Sequence, residues 1–319
     1  MDYNYYNFFV VRKDRNMKEY IKSFFEEFDY PMEAREYLLS VYDKLVANDE
    51  AWALIDAKIK EYNETDRFRT GQVAEAVILA CRAALLPEYA VHFLVYVIFS
   101  KHLRDIYAKK SVDMQIYHDS MMDLRIKLME CKEVKNEWGS FVCTWFDRFF
   151  LFERFALGRL QFETEEYRAD MPVYEKCGLP VKGGDTVINM HVPSGSRMPY
   201  EEVIASYKKA FDFFAQYKID DKLVFVGESW LFHRSMYEIC EKGTNTYNFI
   251  KDFDIMGGYD DTNYYDCWRL FGVEYHGDPK ALPANSGLRR NVVKWLENGG
   301  VMGESYAVLV FDGEKVINK

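Results

Sequence analysis

The chain has 319 residues, 49% of them hydrophobic and 17% aromatic, with a formal charge of −10. That is core material for two ordinary domains, which sets aside a disordered chain. The acidic balance argues against nucleic acid or an anionic membrane as the main partner, because both require basic faces. A small anionic ligand held by local donors stays compatible with it.

The N-terminal MDYNYYNFFVVRKDRN carries acids and lacks an apolar core region, so no signal peptide is expected. Pro31 opens a helical pattern, and PMEAREYLLSVYDKLVAN sets Ala34, Leu38, Tyr42 and Leu45 on one face. DEAWALIDAKIKEY repeats it with Trp52, Ile55, Ile59 and Tyr62. Further helices are predicted near 72–85, 88–109, 113–131 and 138–154. The most apolar run, AVHFLVYVIFS over 90–100, is about half of the ~20 residues that cross a bilayer, so a buried helix is expected and no membrane span. Cys81, Cys131, Cys143, Cys177, Cys240 and Cys267 are scattered, as reduced cytoplasmic thiols are. The dispersed histidines form no HExxH or Cys/His cluster, so no metal is expected.

The pattern changes near Ala156. ALGRLQFE, DTVINMHV, KLVFVGES, YYDCWRLFGV and SYAVLVFD read as strands, with helical stretches at 200–217, 231–240, 246–252 and 288–297 between them. The predicted architecture is α+β: an all-helical domain over 1–153, feeding without a linker into a mixed α/β sheet domain over 154–319. Trp145, Phe149 and Phe150, in WFDRFFLF, are expected to be buried near the junction.

Two turns carry possible chemistry. In INMHVPSGSRMPYEEVIASYKKAFDFFAQY a strand opens through Pro-Ser-Gly-Ser into a helix whose Val203, Tyr207, Ala210, Phe211 and Phe214 share a face. Such a turn can hold a phosphate on backbone N–H groups, or Ser194 or Ser196 can simply cap the helix. In VFVGESWLFH, Gly227-Glu228-Ser229 resembles a hydrolase nucleophile elbow, but Leu231 stands where that motif needs its second glycine. Ser229 as a helix cap is the plainer reading.

RFALGRLQFE (154–163), GDTVINMHVPSG (184–195), VFVGESWLFH (224–233), NTYNFIKDFDI (245–255) and LPANSGLRRNVVKWLENGG (282–300) occur in this order. With them the chain resembles bacterial acyltransferases that join a helical N-terminal domain to a GNAT-like, acyl-CoA N-acyltransferase C-terminal domain. The resemblance implies acyl transfer from acyl-CoA to a small amine, with coenzyme A or acyl-CoA as cosubstrate. It places the pantetheine arm along the strand ending at Met190, His191 and Val192. The pyrophosphate falls on the turn with Ser194, Gly195, Ser196 and Arg197, with Lys208 and Lys209 further on. The usual pyrophosphate turn, Q/R-x-x-G-x-G/A, has two glycines, and this one has only Gly195. In the same reading Glu228 is a base for the attacking ammonium, with Glu163 as its rival. Tyr237 is a proton donor to the departing thiolate. The plain alternatives are surface or core positions for Glu228 and Tyr237, and an ion pair with Arg159 or a neighbouring segment for Glu163. The aromatic stretches DYNYYNFF and WFDRFFLF offer walls for an acyl chain, the second being read first as core. The acidic, Tyr-rich EFDYP and GGYDDTNYYD read as solvated loops able to receive a cation. The alternative to an enzyme is a catalytically silent binding module that keeps the sheet. The oligomeric state stays open, a homodimer included.

Overall fold

The structure, a computed structural model, describes residues 16–195 and 197–318. The aromatic segment DYNYYNFF and Ser196 therefore lie outside the described residues. By its internal contacts the chain divides into two compact units, 1–153 and 154–319.

The first unit is helical: α1 (16–27), α2 (Met32–Val46), α3 (Asp49–Thr65), α4 (Thr70–Ala84), α5 (Glu88–Lys109), α6 (Met114–Lys135) and a short α7 (Asp147–Phe150). No strand occurs among its described residues. Helix α5 starts after Pro87 and is buried on every side from Ala90 to Ser100, so it is the hub. Its neighbours are one-faced; α2 buries Ala34, Leu38, Val41, Tyr42 and Leu45. Phe149 and Phe150 are fully buried, and the Tyr62 hydroxyl donates to the Phe150 carbonyl at 2.6 Å. Trp145 is half-buried, its Nε1 donating to Asp123 Oδ2 at 2.8 Å.

The helix predicted over 138–154 is a correction. Helix α6 ends at Asn136 in the left-handed region, and only a 3₁₀ turn (Cys143–Phe146) and α7 follow. A Cβ on Gly139 would lie 2.4 Å from the Tyr89 carbonyl carbon, and Ser140 N donates to Tyr89 O at 3.2 Å. This close approach, invisible to periodicity, holds the segment off helix.

The second unit is a six-stranded mixed sheet in the order β1-β2-β3-β4-β6-β5. The strands are β1 (Arg154–Leu157), β2 (Leu160–Glu166), β3 (Thr186–His191), β4 (Leu223–Ser229), β5 (Asp254–Asp261) and β6 (Met302–Phe311). ALGRLQFE is thus a hairpin turning at Gly158, not one strand. Only β3 and β4 pair in parallel, and α8 (Tyr200–Phe213) connects them. Tyr207 of α8 packs on Phe225 and Phe311 on one sheet face. The long β2–β3 loop covers the other with Tyr167, Tyr174, Leu179 and Val181, against Val187, Val224, Val226, Tyr306, Val308 and Val310.

Short helices α9 (Arg234–Ile239), α10 (Asn245–Ile250), α11 (Cys267–Phe271) and α12 (Gly287–Glu297) complete the unit. YYDCWRLFGV is not a strand: it holds α11, which buries Cys267 and Phe271 one turn apart. Strand β5 escaped the sequence reading, since its DIMGGYDD lacks alternation.

Candidate active site

The parallel ladder between β3 and β4 is short. Registered pairs are Ile188 with Phe225 and Asn189 with Val226. Both strands run on, but β3 follows β2 to the His191–Gln161 pair, while β4 follows β6 to the Ser229–Ser305 pair. The sheet therefore forks at this end. Met190 and His191 flank the fork on one side, and Gly227 and Glu228 flank it on the other. Its base is narrow: a Cβ on Gly227 would lie 3.4 Å from the Met190 carbonyl oxygen and 3.0 Å from Phe232 Cε2.

From the fork β3 enters the turn 192–199. Gly195 sits at φ +92°, in the left-handed region that favours glycine. The N-cap position of α8 falls on Pro199, which supplies no side-chain cap, and not on Ser194. The first N–H groups of an α-helix lack intrahelical partners and draw anions. Arg159, at the β1–β2 turn, braces this region. Its Nε donates to the Arg197 carbonyl at 2.9 Å, and its backbone N–H to Ser206 Oγ of α8 at 2.8 Å. Burial lowers the Arg159 pKa, against the charge of Glu202. Gly158 had hidden this place: with a hairpin there, Arg159 faces the α8 side of the turn instead of pairing with Glu163.

Glu163 lies in the most tightly coupled polar cluster of the fork. It is 3% exposed and its partner Arg154 is 5% exposed. Arg154 Nε donates to Glu163 Oε2 at 2.9 Å and Nη2 to Oε1 at 3.0 Å. His191 Nε2 is 2.7 Å from Glu163 Oε1, and Asn189 Nδ2 is at 3.4 Å. The register explains the cluster: Arg154, Glu163 and Asn189 are cross-strand partners, and His191 is two positions along the same face. Burial pushes the Glu163 carboxyl up, but the bonds and charges of His191 and Arg154 outweigh it and hold the group down at about 2. The sequence shows only the alternation along each strand; the register is what brings Glu163, Asn189 and His191 together.

The other expected catalytic groups are placed apart from it. Glu228, at the end of β4, is exposed and ion-paired to Arg168 Nη1 at 2.6 Å. Tyr237, on α9, donates to the Ile250 carbonyl at 2.9 Å, and burial, then Asp254, pushes its hydroxyl up to about 12. Ser229 accepts from Leu231 N at 3.2 Å and so caps the 3₁₀ turn Trp230–Phe232. Glu304, unread in the sequence, sits on β6 one residue before Ser305, the partner of Ser229. Burial first, then Asp266 and Glu228, raise its carboxyl to about 7 against Arg269. Among the described residues no three His, Cys, Asp or Glu side chains gather to hold a metal. No described helix is long and apolar enough to cross a membrane.

Two family profiles match in the order of the two units. Residues 19–151 match the N-acyltransferase N-terminal domain, and residues 154–309 match the GNAT-like C-terminal domain. The chain belongs to the N-acyltransferases with a GNAT-like C-terminal domain. Solved structures share this N-acyltransferase fold. One, an acyltransferase in complex with decanoyl-CoA, is 16% identical, with a TM-score of 0.65 over 90% of this chain and 86% of that one. Another, an acyltransferase with decanoyl-CoA and teicoplanin, is 16% identical, with a TM-score of 0.64 over 89% and 86%. A third, with CoA and 10C-teicoplanin, is 17% identical, with a TM-score of 0.60 over 87% and 88%. None of the curated proteins compared matches the sequence.

Proposed function

We propose that this chain transfers an acyl group from acyl-CoA to an amine, by direct attack of the amine on the thioester. The observation that carries this reading is the fork between β3 and β4, which opens onto the glycine turn before α8. In this reading the pantetheine arm lies along Met190–Val192. The pyrophosphate lies on the N–H groups of the turn around Ser194–Arg197, with Arg159 beside it. The silent-module alternative rests on the missing second glycine of the turn, and the match to solved acyltransferases in complex with acyl-CoA does not favour it.

The amine attacks only once its nitrogen is unprotonated. His191 is the base we assign. With Nε2–H donating to ionised Glu163, the ring's acceptor is Nδ1, as in other carboxylate-oriented imidazoles. Glu163, held near 2 and already bonded on both oxygens, is a poor proton acceptor itself and acts by orienting the ring. The new C–N bond forms as the C–S bond breaks, and the thioester oxygen charge falls on backbone N–H groups of the fork. Tyr237, pushed up to about 12 and committed to Ile250 O, yields its proton reluctantly, so His191 returns the proton to the thiolate. Glu228 would meet the incoming ammonium at the rim of the fork. The scattered free cysteines fit a cytoplasmic setting.

The test follows thiol release from decanoyl-CoA with a panel of primary amines. His191→Ala should lower kcat by about 10²–10⁴-fold with little change in decanoyl-CoA affinity, the range for a lost general base. Gly195→Val, forced into a left-handed conformation, should instead weaken decanoyl-CoA binding by ~1–3 kcal/mol. Unchanged kcat in the first variant would move the base elsewhere, and unchanged affinity in the second would make the turn a connection only.

A further inference from the structure

Strand β5 ends the sheet, so one side of its main chain has no strand partner. It is also open to solvent, with Ile255 40% and Tyr259 55% exposed. A cavity of about 310 Å³ adjoins it, lined by Ile255 and Met256, by His233, Arg234 and Asp260, and by Ser305. Ser305 of β6, 3% exposed, forms part of the cavity wall. Gly258 keeps the floor low, since a Cβ there would lie 2.3 Å from Ser305 Oγ.

The strand DIMGGYDD carries Asp254, Asp260 and Asp261 and no cation of its own. Asp254 is met by Lys176 and Asp260 by Arg234, but Asp261 accepts from the main-chain N–H groups of Asn263 and Tyr265. Charge decides between the occupants. A second copy pairing antiparallel about Gly257 and Gly258 would set Asp254 opposite Asp261, which is unfavourable. A basic strand is favoured at the same place, and the exposed Tyr259 ring gives a cation a face to lie on.

We propose that the edge of β5 and its cavity bind an extended, positively charged peptide segment of the acceptor. The segment adds a strand to the sheet and sends one side chain into the cavity. That this peptide presents the amine to be acylated rests on the acyltransfer reading; its binding does not.

The experiment titrates the full chain, without acyl-CoA, with blocked hexapeptides by calorimetry, and titrates CoA separately. Acetyl-(Lys-Val)₃-amide should bind. Its Glu counterpart, and a version N-methylated on alternate amides, should bind about tenfold or more weakly, as expected when main-chain hydrogen bonds are removed. Ile255→Lys, at an exposed position that leaves the core intact, should weaken the lysine peptide similarly and leave CoA binding unchanged. N-methylated peptide binding as tightly as the parent, or Ile255→Lys without effect, overturns the proposal. So does a concentration-dependent dimer that Ile255→Lys dissolves, because a second copy then occupies the edge. Failure to bind CoA with peptide binding intact would instead sink the donor reading.

Discussion

Glu163 shows how one residue can hold a strand pair and orient a neighbour. Its folded pKa, about 2, lies below its ordinary 4.5. A depressed carboxyl contributes stability that is present above the unfolded pKa and is lost as pH falls through the folded one. The window is thus about 4.5 down to about 2. Glu163→Gln leaves Arg154 buried without a counter-charge, and denaturant titration at pH 7 should show a loss of ~3–5 kcal/mol. The same variant should flatten the acid limb of the stability curve, and an unchanged limb would mean that the pair does not stabilise the fold. Glu304 has the opposite sign. Its carboxyl is raised from 4.5 to about 7, so the protonated form is favoured and stability falls as pH rises through that window. Glu304→Gln should therefore raise Tm at pH 8 and leave it nearly unchanged at pH 4. Equal shifts at both pH values would show that charge is not the cause. Glu163 was legible in the sequence only as a carboxylate at a strand end, and its pairing with Arg154 and His191 instead of Arg159 came from the strand register. Glu304 was not, because its burial and the approach of Asp266 and Glu228 arise only in the tertiary structure.

At the scale of elements, the fork depends on the absence of a side chain at Gly227, with Phe232 and the Met190 carbonyl close by. Gly227→Val should wedge between them, an overpacking of ~1–3 kcal/mol. Decanoyl-CoA affinity by calorimetry should fall while the circular dichroism spectrum is retained, because the wedge closes the space between the strands. Affinity equal to that of the parent would show that the donor does not enter between β3 and β4. Buried strands such as LVFVGES were legible as apolar runs, and α5 as an all-round apolar helix. Strand β5 was not, because an edge strand with two glycines and three aspartates has no buried face to pattern. The stretch Tyr264–Val273 misled in the other direction: its aromatics look β-prone, but Tyr264 is left-handed and the chain turns into α11.

For the whole molecule, a donor that binds only the folded state must stabilise it. Decanoyl-CoA at 100 times its Kd should add about 2.7 kcal/mol, raising Tm by several degrees in scanning fluorimetry. No shift at any concentration would count against acyl-CoA as the cosubstrate. The sequence by itself determined the order of helices before strands, and most of the core, because burial imprints a period on the residues that face it. It also marked the turn at Gly195 and the strand that carries His191. Tertiary structure alone decided that β3 and β4 part after Asn189 and Val226, that Arg154 meets Glu163, and that Arg159 meets Arg197. These contacts join residues that local period cannot relate: each strand at the fork is held by a different neighbour, and only the assembled sheet brings those neighbours into register.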